Sequence, residues 1–138
     1  MKKHRMVIAA LMAVVVYTGA MAQTLKIRVD DRKTEKATVN LMVALRSDNE
    51  GLMESAMMRV AEMKAMYPEV NVAAAKEIVD SLAIHANVPS IRYKAYLASS
   101  ACDNPELFAK AGIANSEDEF FKSVDAQLHE TVLGSRTN

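Results

Sequence analysis

Apolar residues recur three and four positions apart along most of this chain, and the breaks between such runs divide it into helices. Thr38, Leu41, Met42 and Leu45 keep the i, i+3, i+4, i+7 spacing of one helix face and predict a helix over 34–46. Ser47-Asp48-Asn49 interrupts the pattern and supplies capping side chains for a second helix over 51–67. Leu52, Ala56, Val60, Met63 and Tyr67 share a face of that helix, and Pro68 closes it. A third helix over 70–86 carries the stripe Ala75, Ile78, Val79, Leu82 and Ala86. After Asn87-Val88-Pro89-Ser90, a fourth over 89–102 sets Ile91, Ala95, Ala98 and Cys102 on one narrow face. Asn104 and Pro105 suit the N-cap and first position of a short helix that stops before Gly112.

Ser116-Glu117-Asp118-Glu119 is a capping box opening a last helix. Phe120, Phe121, Val124, Leu128 and Val132 line one side of it, and Gly134 ends it. The tail at 135–138 is expected to fray. Only Leu25, Ile27 and Val29 alternate with polar residues as a strand would, and a lone strand has no partner. Residues 23–33 therefore read as an extended or frayed arm. Nothing after Val29 reads as a strand, so the expected class is all-α, one helical domain over 34–134.

The N-terminus carries a different pattern. Lys2, Lys3, His4 and Arg5 precede an unbroken apolar run over 6–17, followed by Ala20-Met21-Ala22. This is the layout of a Sec-type signal peptide, with cleavage between Ala22 and Gln23. A run this short falls well below the roughly 20 residues of a membrane span. The expected address is the periplasm or the extracellular medium, with no stable membrane anchor after cleavage.

Composition changes meaning once that segment is set apart. The chain of 138 residues has 17 basic and 17 acidic side chains. Residues 23–138 lose Lys2, Lys3 and Arg5 and carry a net charge of −3. A mildly acidic exported protein is a poor binder of nucleic acid by charge. The 51% hydrophobic share excludes a disordered chain. Cys102 is the single cysteine, so no internal disulfide supports the core.

Two stretches are alike when Ala56 is set on Ala95, an offset of 39 residues. Leu52 lies four before the first Ala, and Ile91 four before the second. Asn87-x-x-x-Ile91-Arg92-x-x-Ala95 resembles the turn and second helix of a HEAT repeat, and Met53 stands where the first unit would have the arginine. The resemblance covers about residues 36–102 and is shared with armadillo repeats. It implies antiparallel hairpins stacked in a right-handed HEAT- or armadillo-like arrangement, with 105–133 acting as a C-terminal cap. An unrelated antiparallel helical bundle produces similar spacing.

Candidate chemistry is sparse. Met53, Met57, Met58, Met63 and Met66 crowd one helix, and thioethers are soft metal ligands. On a helical wheel they do not converge, Met58 pointing nearly opposite the Leu52 stripe, so they read as packing and no metal is expected. His85 and His129 are far apart and lack a metal-ligand pattern. No nucleophile motif or phosphate loop is present. Cys102 reads as a buried thiol, with dimerisation through it a minor alternative. Arg92, Tyr93 and Tyr96 lie off the Ile91 face and form the candidate partner surface, the alternative being a second packing face against the C-terminal segment. The reading is an exported, non-catalytic, cofactor-free interaction module for an unknown envelope protein. The alternative is a small exported ligand- or metal-binding helical protein.

Overall fold

A computed structural model of the protein describes residues 31–107 and 116–134. Every element among them is an α-helix, and no strand occurs there. The helices are α1 (Asp31–Leu45), α2 (Glu50–Met66), α3 (Ala73–His85), α4 (Pro89–Asp103) and α5 (Glu117–Gly134). None is long and apolar enough to cross a membrane. The expected signal segment with its Ala22–Gln23 junction, the strand-like pattern at 25–29, the expected end of the short helix at 108–111 and the tail at 135–138 lie outside the described residues.

Local chemistry sets the helix ends. Asn49 is the N-cap of α2, its side-chain carbonyl accepting from Leu52 N at 3.0 Å. Asn71 Oδ1 accepts from Ala73 N at 3.1 Å, which holds 68–72 as a turn and delays α3 to Ala73. Pro89 occupies the first turn of α4, where its missing N–H costs nothing. Ser116 Oγ accepts from Glu119 N at 3.3 Å, the forward half of the predicted capping box. Asn104 instead points backward, its side-chain amide donating to Ser100 O at 3.0 Å. In α1 the helix already starts at Asp31, so 31–33 are helical rather than arm, because Asp31-Arg32-Lys33 contains no breaker.

Packing is pairwise and regular. α1 packs on α2, and α3 on α4; α3 and α4 run antiparallel, since Lys76 meets Asp103 and Asp80 meets Ser99. α1 also packs on α3, and α2 on α4, while α2 and α3 barely touch. Odd-numbered helices thus form one layer and even-numbered helices another. α5 packs on α4 and α2 and, among the described residues, not on α1 or α3. It therefore covers the even layer across both hairpins instead of closing the end beyond α3 and α4.

This arrangement explains where the helix stripes depart from expectation. α2 is flanked by α1, α4 and α5, so its buried arc is broad and takes in Ala56, Met57, Met58, Val60 and Ala61. Met58, expected on the outer side, is core, whereas Leu52 and Tyr67 are exposed. α4 buries Leu97 and Ala101 besides Ile91, Ala95, Ala98 and Cys102, because three helices surround it. Ala75 and Val79 of α3 are fully buried. Phe120, Phe121 and Val124 of α5 enter the core, but Val132 leaves it as α5 runs past the layer beneath. Phe120 and Phe121 meet edge to face at 5.1 Å.

Candidate functional site

The surface of α4 is laid out by what each side chain reaches. Lys94 Nζ reaches Glu54 of α2 at 2.7 Å and Asp118 of α5 at 3.8 Å, and lies 5.5 Å from the Phe121 ring centre. Ser99 Oγ donates to Asp80 Oδ1 of α3 at 2.5 Å. Tyr93 reaches α5, its hydroxyl donating to Asp125. Between these directions one sector of α4 stays open, and Tyr93 and Tyr96 stand in it, 48% and 53% exposed. Their rings lie 6.4 Å apart at 25°, a stacked pair. Asp125 holds the edge of the pair and is itself 3.2 Å from His129 Nδ1.

Arg92 does not join that pair. Its guanidinium donates to Ala86 O at 2.6 Å and to Asn87 O at 3.3 Å, the carbonyls at the end of α3. The helix end is satisfied by a cation from the next helix, which also fixes the α3–α4 turn. Of the three candidate residues, the structure brings Tyr93 and Tyr96 together and turns Arg92 to a turn-locking task.

No family profile, curated protein or solved structure matches this chain. The geometry of its own residues is what any functional reading stands on.

Cys102 is buried between α3 and α4, and burial pushes its thiol up to about 12, with Lys76 opposing the shift. It is held as an uncharged thiol at neutral pH. Met57 and Met58 are core, Met53 and Met63 half-buried and Met66 exposed, so the methionines are spread around α2. His85 and His129 are exposed on different helices. Among the described residues no group of three or more His, Cys, Asp or Glu side chains converges on one point.

Two polar clasps escaped the sequence reading. Lys76 Nζ bridges Asp80 at 3.0 Å and Asp103 of α4 at 3.2 Å. Burial resists ionisation of Asp80, but the Ser99 hydroxyl and the Lys76 ammonium outweigh it and lower its pKa. The second clasp ties α5 down: Ser55 of α2 donates to Glu117, alongside the Lys94 pairs. That hydrogen bond holds the Glu117 carboxyl below its ordinary range. The Lys76–Asp80 spacing of i, i+4 is legible in a sequence. The Glu54–Lys94 and Ser55–Glu117 pairs are not, because they join helices far apart in the chain.

Proposed function

We propose that this chain is an exported, non-catalytic helical-repeat protein whose task is to bind another protein, with Tyr93 and Tyr96 as the centre of the contact. The packing order carries the reading: α1 on α3, α2 on α4, and little between α2 and α3. That is how stacked HEAT- or armadillo-like hairpins pair, first helices with first and second with second. Arg92 supports it locally, since its hold on Ala86 and Asn87 gives the Ile91-Arg92-x-x-Ala95 pattern a physical reason. The exposed tyrosine pair supplies what a recognition surface needs, rigid aromatic area with a polar rim. Signal-peptide layout at residues 1–22 supports the exported address.

The test is capture from the cell envelope by the chain recovered after export, beside the same chain carrying Tyr96→Ser. A protein retained by the first and lost by the second supports the reading. Equal retention by both, or turnover of substrates in hydrolase screens by the purified chain, defeats it. Mass spectrometry of the exported chain checks the address, with Gln23 as the expected first residue.

A further inference from the structure

We infer that α2 is a graded site of methionine oxidation: a peroxide oxidises Met66 first and leaves the fold intact, and it takes Met57 and Met58 only when the fold opens.

Five of the six methionines among the described residues, Met53, Met57, Met58, Met63 and Met66, sit in α2. Met66 is 47% exposed, Met53 and Met63 are half-buried, and Met58 and Met57 are 7% and 0% exposed. One helix thus presents the same sulfur chemistry at three depths. Cys102 does not compete for the oxidant. A thiol attacks peroxide as its thiolate, and burial disfavours that form at Cys102. A thioether needs no deprotonation, because its sulfur carries a free electron pair at every pH. The accessible oxidisable sulfur among the described residues is therefore methionine.

The step is an oxygen transfer. The sulfur electron pair attacks one oxygen of hydrogen peroxide, an S–O bond forms and the O–O bond breaks. The departing oxygen takes up the proton of the transferred one and leaves as water. The thioether is oxidised to a sulfoxide and the peroxide is reduced.

What the new oxygen does to the fold depends on its depth. Met66 is the last residue of α2 and half open to solvent, so water hydrates a sulfoxide there in place. Met57 and Met58 lie in a core whose buried residues, among the described ones, are all hydrophobic. The N–H groups around them are spent on the bonds of α2 itself. A sulfoxide at either position has no donor to meet, and a buried polar group without a partner destabilises the folded state. Oxidation of the outer sulfurs is therefore a local change, whereas oxidation of the inner pair holds the chain open once it has opened.

Treatment of the full chain with hydrogen peroxide, read by peptide mass spectrometry and thermal melts, is the test. Met66 should gain its oxygen at least about tenfold faster than Met57 or Met58, which react only through opening, with Met53 and Met63 between. The melting temperature should hold while Met66 alone is oxidised. In urea the order should vanish, because depth is gone. Met66→Leu should remove the first oxygen and leave the rates at Met57 and Met58 as they were. Met57→Leu combined with Met58→Leu, shown to be folded by its melt before treatment, should survive the excess of peroxide that unfolds the native chain. Equal rates in the folded chain overturn the proposal, as does an order that persists in urea, a fold lost as Met66 is oxidised, or Cys102 oxidised ahead of Met66. A folded double variant that unfolds under peroxide as the native chain does also overturns it.

Discussion

Replacing Phe120 by Ala asks whether α5 is part of the core or an appendage on it. Phe120 is the largest fully buried side chain among the described residues, with no exposed area, and α5, which carries it, packs on the even layer. Truncating a fully buried Phe costs about 3–5 kcal/mol, the lost transfer energy plus the cavity left behind. The upper half of that range applies here. Phe121 touches the Phe120 ring at 5.1 Å and is itself packed under Lys94, so it has little freedom to fill the space. Domains of this size hold about 5–15 kcal/mol in total, so the loss removes a large part of the stability. Each kcal/mol is worth roughly 4–8 °C in a domain of about 100 residues, so about 4–5 kcal/mol predicts a fall in Tm of roughly 16–40 °C. Urea unfolding followed by circular dichroism should show a lower midpoint with an unchanged slope in a single transition. A loss under about 1 kcal/mol, or separate melting of α5, would refute the claim that α5 shares one core with α2 and α4.

Three further outcomes follow from named contacts. Arg92→Met should lower stability by about 1 kcal/mol, since two carbonyls at the end of α3 lose a partly exposed cationic donor; no change in the urea midpoint would show that water replaces the guanidinium fully. Cys102, with its thiol pushed up to about 12, should resist a thiol reagent at pH 8 and react quickly in denaturant, and fast labelling of the folded chain would contradict its burial. Asp80 has a lowered pKa, so its contribution is complete above the ordinary carboxylate range and is lost as pH falls through the lowered value. Asp80→Asn should accordingly reduce stability at pH 7 and narrow the gap to the native chain under strong acid, a gap that stays constant with pH being the contrary result.

The helices were legible in the sequence because their causes are local. Asn49, Pro89 and Ser116 cap or start helices through atoms within four residues, and apolar spacing at three and four marks a face whatever the face later meets. Ile91, Ala95, Ala98 and Cys102 were assigned to one buried face for that reason, as were Phe120, Phe121 and Val124. Angle alone put Tyr93 and Tyr96 off the Ile91 face, but whether they met the C-terminal segment or solvent was left to the tertiary structure, which bonds Tyr93 to Asp125 of α5 and leaves both rings about half exposed.

Tertiary structure decided the rest, because a helix does not encode how many neighbours it has. Three neighbours made Met58 core and left Leu52 outside, although the Leu52 stripe looked the stronger face. Arg92 reads as a surface cation until the end of α3 arrives with two carbonyls to satisfy. The placement of α5 on the even layer depends on Phe120, on Lys94 meeting Asp118 and on Ser55 meeting Glu117, all pairings between segments distant in the chain. Periodicity and capping are properties of a few consecutive residues and can be read in order; burial and pairing are properties of surfaces that exist only once the helices have met.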